Sequence, residues 1–544
     1  MTANRYHDLD ALRAFAMLLG IVIHGLLSFV GWSVWPVQDV NQSELYGIPV
    51  MFIHGFRMSL FFFVSGFFTM MMWGKRGSTG LLVHRFKRIV LPFFVLGFLI
   101  FPMLNNMKAL ADWVGEGREE RVAESSEGKE TEKPKYEVPD DLGGAARQGD
   151  LDAILKFLNK GADIDGRYDK DFSPLHWAAA MGKAEAVNLL AEKGADLNSR
   201  DQAQSTPILV AAFFGRTECV RILLEKGADP ELRNIYKSRP LEAMSIDRKT
   251  TMYVAENNLQ IPIKWTEVQK GRNEVRELFG EDWERKPEDN WFVRNYMIPI
   301  GGEIKFVTHH LWFLYDLVYL VLAFVLVTSV LKFVPMPKLA KWLAESPLRL
   351  FWLVPLTYCA QFFMTDEFGP ATSVWLEPDW NKLGYYGIFF GYGALCFQHK
   401  GFHEKVGRYW FIHILVAVLV FVPAVFMMVK QDLEFRYEII SLCSALFVWL
   451  MIFGLIGMFR QFFSGESPKV RFVSDSAYWL YIAHVPLIQI VQIWVSEWPV
   501  PSVLKLAFVC LVTTALLLLS YRYLVRYTFI GTMLNGKRTL PSAG

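Results

Sequence analysis

The sequence predicts an all-α protein: a polytopic membrane helix bundle of about ten spans, interrupted by an inserted α-solenoid. Three observations lead there. Of 544 residues, 53% are hydrophobic and 15% aromatic, above the roughly 45–50% apolar share of soluble chains. The excess is gathered in blocks long enough to cross a bilayer. Between residues 140 and 260, a set of markers recurs with a period of 33. The net charge of +2 argues against a nucleic-acid partner, which would call for a basic face. The five cysteines, Cys219, Cys359, Cys396, Cys443 and Cys510, show no CxxC or metal spacing. Neither a disulfide framework nor a metal site is expected.

Ten apolar segments qualify as spans, near 11–30, 48–73, 89–106, 311–331, 348–364, 383–398, 409–429, 437–459, 473–496 and 503–525. The fifth and sixth are short. The N-terminal segment lacks a strongly basic start and a small-residue cleavage site, so it reads as a retained span. Basic residues follow every even span: Lys75, Arg76, Arg85, Lys87 and Arg88, then Lys332, Lys338, Lys341 and Arg349, then Lys400, Lys405 and Arg408. Arg460, Lys469 and Arg471 follow the eighth, and Arg522, Arg526, Lys537 and Arg538 the tenth. Alternate loops carry Asp39 and Glu44, then Asp366, Glu367, Glu377 and Asp379, then Glu497. The positive-inside rule then puts both termini in the cytoplasm, as in a bacterial inner or plasma membrane.

The expected organisation is spans one to three in 1–106, a charged linker in 107–139, repeats in 140–260, a connecting segment in 261–308, spans four to ten in 309–530, and a cytoplasmic tail in 531–544. Gly115 to Asp141 is charged and poor in aromatics, which reads as disordered. In the repeats, Gly161-Ala162-Asp163, Gly194-Ala195-Asp196 and Gly227-Ala228-Asp229 keep the 33-residue period. Gly149, Gly182 and Gly215 keep it too, as do Pro174, Pro207 and Pro240. With Ser173-Pro174-Leu175-His176 opening a helix, the array resembles the ankyrin repeat. Such stacks bind proteins through a concave face, so a protein partner is expected there. His176 belongs to the helix start. Span parity places the array outside the cytoplasm.

Chemistry is sought where ionisable groups sit at membrane depth, because they are costly there and usually face a bundle interior. Arg13 and His24 are eleven residues apart in the first span, within about 20° on one helical face and about 16 Å apart in rise. Asp10 lies within about 40° of the same line. A snorkelling arginine and an interfacial histidine would account for this helix equally well. Towards the extracytoplasmic side lie His24, His54 and Arg57, His309 and His310, Asp316 and His484. His54 and Arg57 share a face by their spacing. Arg85 and Arg88 share a face on the cytoplasmic side, where they could hold an anionic group or act only as positive-inside anchors. His484 reads equally as a packing histidine, and Ser65 in FFFVSGFF as a small helix-contact residue. No G-x-S-x-G elbow, Walker A or HExxH motif occurs.

RYHDLDALRAFAMLLGIVIHG, HGFRMSLFFFVSGFF, HRFKRIVLP, HHLWFLYDLVYL and SDSAYWLYIAHVPLI together resemble the signature segments of the acyltransferase-3 family of integral membrane O-acyltransferases. The arginine, ten residues, histidine pattern fits Arg13 and His24, and R-x-x-R fits Arg85 and Arg88. The resemblance covers roughly 5–105 and 300–530 and leaves out the repeats. It implies acyl-CoA as a co-substrate, no permanently bound cofactor, and a hydroxyl acceptor on an extracytoplasmic glycan or glycolipid. It implies His24 as the catalytic histidine and Arg85 and Arg88 as donor-binding residues. A near-neutral imidazole suits the base such a transfer needs, and Arg57 or His310 could serve the oxyanion. Asp10, Arg13, His54, Asp316 and His484 are expected to support donor or substrate binding. Two rivals are a transporter or flippase of a polar or anionic substrate and a repeat-based scaffold on a degenerate membrane anchor. The first lacks the paired Gly/Pro-broken spans of inverted repeats.

Overall fold

Each apolar segment folds as a helix: α1 (His7–Leu26), α2 (Gly47–Arg85), α3 (Leu91–Asn105), α4 (Trp312–Leu331), α5 (Leu350–Phe362), α6 (Trp380–Gln398), α7 (Trp410–Val429), α8 (Arg436–Phe463), α9 (Pro468–Val495) and α10 (Ser502–Ser520). The computed structural model describes residues 6–31, 35–111, 114, 139–236, 238–244, 246, 248–279, 296–300, 303–331, 337–364, 368–370, 376–399, 406–429, 435–536 and 538. Most of the charged linker lies outside the described residues, as do Lys332, Asp366, Glu367, Lys400, Lys405 and Lys537. The chain divides into a membrane unit, Met1–Gly115 with Asn290–Gly544, and a repeat unit, Glu116–Asp289.

Seven helical runs among the described residues are long and apolar enough to cross a bilayer, one of them the 62-residue run Glu44–Asn105. That run is two arms. The Arg85 guanidinium donates to Thr69 Oγ1 at 2.6 Å, although sixteen residues of straight helix would separate them by about 24 Å. The reversal falls at Gly77, whose φ of 67° and ψ of −176° suit glycine alone. The thirteen residues of α5 span only about 20 Å. The chain is a multi-pass membrane protein.

Side-chain pairs give the helix directions. Arg13 meets Ser474 and His24 meets His484, so α1 and α9 are parallel. Tyr6 meets Phe67 while Gly20 abuts Arg57, so α2 is antiparallel to α1. Phe62 with Tyr386 and Phe67 with Phe397 make α6 parallel to α2. Trp410 bonds to Gln461 while Phe421 packs on Phe447, making α7 and α8 an antiparallel pair. Among these pairs, helices of like parity run parallel and helices of unlike parity antiparallel, as alternating crossings require.

The closest approach is between α2 and α6. A Cβ on Gly66 would strike the carbonyl of Phe390, and one on Gly393 the carbonyl of Phe63. Backbone is the obstacle at both positions, so no side-chain rotation relieves the clash. Gly66→Ala is expected to destabilise the bundle by about 1–3 kcal/mol, read as a lower unfolding temperature of the detergent-solubilised protein. An unchanged unfolding temperature would contradict this packing.

Three expected boundaries move. Residues 107–111 and 114 continue as helix, and Met107 is buried against Val37 and Ile493, so the membrane unit runs past 106. An antiparallel hairpin, β1 (Met297–Ile300) and β2 (Glu303–Phe306), occupies part of the supposed connecting segment. The helix Phe529–Asn535 reaches into the expected tail, which is tied down by Asn535 on the Asp475 carbonyl and an Arg538–Asp475 ion pair of 2.9 Å.

In the repeat unit, the markers do what the period requires. Gly149, Gly182 and Gly215 have φ of 75°, 70° and 64°, each just after the first helix of a repeat. Ser173 caps the helix Pro174–Met181, and the His176 Nε2–H donates to the Ser205 carbonyl of the next unit at 3.0 Å. Burial pushes His176 down to about 4, so it is a neutral structural link. The stack ends later than 260. The helix Trp265–Phe279 closes it, with buried Arg272 donating to the Phe213 and Ile246 carbonyls and to Thr251.

Candidate active site

Three histidines meet where α1 nears its C-terminus, α9 passes its middle and the 3-10 turn His309–Leu311 leads into α4. His24 Nδ1 lies 2.8 Å from His484 Nε2. The His310 ring stands edge-on to His484, with centroids 5.2 Å apart. Pro486 helps to build this corner. Lacking an N–H, it leaves the carbonyl of Ile482 without its helical partner. The His310 Nε2–H takes that carbonyl at 3.0 Å.

The hydrogen bonds set the tautomers. The Tyr481 carbonyl can only accept, so the His484 nitrogen 2.8 Å from it, Nδ1, carries the proton. In a neutral ring, His484 Nε2 is then an acceptor, and His24 Nδ1–H is the donor between them. That leaves the lone pair of His24 on Nε2, and the Gly20 carbonyl one turn back on α1 also accepts from the ring, in keeping with a proton on Nδ1. The His24 ring is half-buried and held from the other side by Trp35, stacked at 5.4 Å and 12°. Gln492 ties this face together. Its Oε1 accepts from Trp35 Nε1 at 2.8 Å, and its Nε2 donates to the His24 carbonyl at 3.0 Å.

Arg57 lies beside the pair. A Cβ on Gly20 would collide with Arg57 Nη1 and stand 3.9 Å from His484 Nε2, so the missing side chain makes room for the guanidinium. Arg57 has no ion-pair partner among the described residues, and its buried Nε has no hydrogen-bond partner. His310 differs. Its one N–H is committed to Ile482, and its buried Nδ1 is a lone pair without a partner. A neutral His310 therefore cannot donate to an oxyanion at this site, which corrects one of the two expected donors.

A cavity of about 620 Å³ opens near the other end of α1. Arg13, Lys75, His84, Arg85 and Arg88 line it with Asp10 as the one acid, and Met17, Phe61, Ser65, Phe68 and Phe313 line its apolar parts. Arg13 donates to Ser474 Oγ at 2.9 Å and faces Asp10 at 3.4 Å. Leu534 and Asn535 of the C-terminal helix also reach it. The lining includes Tyr481 but none of the histidines of the cluster. Tyr481 touches both. It is three residues from His484, or about 4.5 Å of rise, and its hydroxyl donates to the His310 carbonyl.

Not every expected residue comes to one place. His24, His310, His484 and Arg57 gather, and Asp10, Arg13, Arg85 and Arg88 line the cavity. His54 does not share the Arg57 environment despite the three-residue spacing. Its Nε2 lies 2.9 Å from the Pro370 carbonyl. Asp316 is buried on the side of Lys382 and Asp379 at the start of α6. His309 bonds to Asn105 at 2.7 Å. Trp35, Gln492 and Tyr481 were missed, since aromatic and amide groups in apolar surroundings give no periodic signal. Lys505 did give one, as a lone cation in an apolar span. It forms a buried pair with Asp39 at 2.9 Å to each carboxylate oxygen.

A family model described as an acyltransferase domain matches residues 6–108 and 283–522, and one for ankyrin repeats in three copies matches 142–234. Among curated relatives, Glucans biosynthesis protein C of Escherichia coli (strain SMS-3-5 / SECEC) is 34% identical over 118 residues, 21% of this chain and 30% of the relative. Its K12 counterpart is 33% identical over 118 residues with the same coverage. The chain thus spans under a third of the length of these relatives. The acyltransferase match takes in more than half of the chain, on both sides of the repeats, and the chain belongs to the acyltransferase-3 family.

Proposed function

We propose that this chain is an integral membrane O-acyltransferase that moves an acyl group of the acetyl or succinyl class from cytoplasmic acyl-CoA to a hydroxyl of an extracytoplasmic glycan or glycolipid. The observation that carries the reading is His24: its Nδ1 is paired with His484, its lone pair is left on Nε2, and Tyr481, which packs on His310 and His484, also lines a basic cavity. A glucan acceptor draws support from the name of the Escherichia coli relatives.

In this mechanism the acceptor hydroxyl bonds to His24 Nε2. Its oxygen attacks the thioester carbonyl, a C–O bond forms, and Nε2 takes the hydroxyl proton. Charge collects on the former carbonyl oxygen, where Arg57 offers N–H donors. Collapse breaks the C–S bond, and the CoA thiolate leaves with the proton from Nε2. Arg85 and Arg88 hold the donor phosphates in the cavity, whose lining they share with Asp10 and Arg13. The pantetheine arm must pass Tyr481 to reach the histidines. The ankyrin stack, on the extracytoplasmic side by span parity, offers a face for a protein partner.

The test is thiol release from acetyl-CoA and from succinyl-CoA by the purified full-length protein, with a glucose oligosaccharide as acceptor. Release coupled to a mass gain on the sugar supports the reading. A protein that leaves both thioesters intact would be a transporter or scaffold instead. Replacing Arg85 and Arg88 together with alanine is expected to raise the KM for the CoA thioester about 10–100-fold by removing charge-assisted bonds, with kcat little changed. An unaltered KM would remove the pair from donor binding.

A further inference from the structure

We infer that His484 is a positioning residue that keeps His24 in the one tautomer able to act as a base, so that the pair works as an orienter and base built from two imidazoles. The inference rests on the acyl-transfer reading above and goes beyond it in assigning the nitrogens. An imidazole bonded through neither nitrogen exchanges its proton between them, and the rings carrying it on Nε2 would present N–H to the acceptor hydroxyl. Here the choice is made by a chain of three groups. The Tyr481 carbonyl takes the proton of His484 Nδ1 at 2.8 Å. His484 Nε2 in turn takes the proton of His24 Nδ1 at 2.8 Å. The lone pair of His24 is thereby forced to Nε2.

In familiar triads a buried carboxylate does this orienting, and among the described residues no carboxylate bonds to His24 or His484. A neutral imidazole can orient without adding negative charge. That suits a site where an uncompensated guanidinium, Arg57, already stands ready for an oxyanion. A carboxylate in place of His484 would form an ion pair with Arg57 and withdraw it from that task. The surrounding geometry leaves His484 little freedom. Gly20 sits against it on α1, and His310 stands edge-on at 5.2 Å.

The test compares His484→Phe, which fills the space without an acceptor, with His484→Gln, whose amide oxygen can stand near the position of Nε2. In thiol-release assays His484→Phe is expected to lose about 10²-fold or more in kcat, with the KM for the thioester within about threefold of the parent, and His484→Gln to recover at least tenfold of that loss. Spectra of ¹⁵N-histidine-labelled parent protein should show His24 Nε2 as the unprotonated nitrogen, assigned by its disappearance in His24→Gln. Equal kcat in His484→Phe and the parent, equal loss in both His484 variants, or a protonated His24 Nε2 overturns the inference. A parent protein without thiol release defeats the acyl-transfer reading instead, and the nitrogen assignment then stands or falls on the spectra alone.

Discussion

A His24→Ala variant present at normal levels in the membrane is expected to transfer acyl groups about 10³-fold more slowly in kcat. The size follows from what is removed. A sugar hydroxyl is a weak nucleophile until its proton is taken during attack, and His24 Nε2 carries a lone pair on a ring that is only half-buried. His484 and His310 cannot replace it. His484 commits one nitrogen to Tyr481 and the other to His24, and the lone pair of His310 lies on Nδ1, which is buried away from an incoming hydroxyl. Thioester binding should survive, because the cavity lining does not include His24. The measurement is kcat alongside the KM for acyl-CoA. Turnover equal to the parent would remove His24 from the chemistry.

An Arg57→Met variant is expected to lose about 10²–10³-fold in kcat, the usual cost of deleting a donor to a developing oxyanion. The guanidinium lies at membrane depth without an ion-pair partner among the described residues, an expensive arrangement for structure alone. Methionine keeps much of the volume beside Gly20 while removing the charge. If Arg57 served only packing, this variant would keep its turnover. Substrate KM values should stay close to those of the parent, since the interaction strengthens only as charge moves onto oxygen. A loss confined to KM would place Arg57 in ground-state binding.

Much of the bundle was legible in the residues. Apolar blocks marked all ten helices, and the cost of ionisable groups in hydrocarbon singled out Arg13, His24, Arg57 and His484 before their contacts were known. Ser65-Gly66 read as a close-contact pair, and Gly66 does lie against α6. The 33-residue period read out the ankyrin stack because each unit repeats the same helix caps. Helical spacing failed for His54 and Arg57. Three residues on one helix share a face, but a long arginine reaches across to α1 while His54 stops at the neighbouring loop.

What the chain itself determined is local or additive: the spans from hydropathy, the repeats from their period, and the family from motifs that each lie within one segment. The tertiary structure alone decided which nitrogen of His24 faces His484, that the His310 N–H is spent on Ile482, and that Tyr481 touches both the cavity and the histidines. Each of these depends on a partner 170 residues or more away in sequence. Hydrogen-bond direction is a property of pairs, and no pattern within a single helix records the pairing.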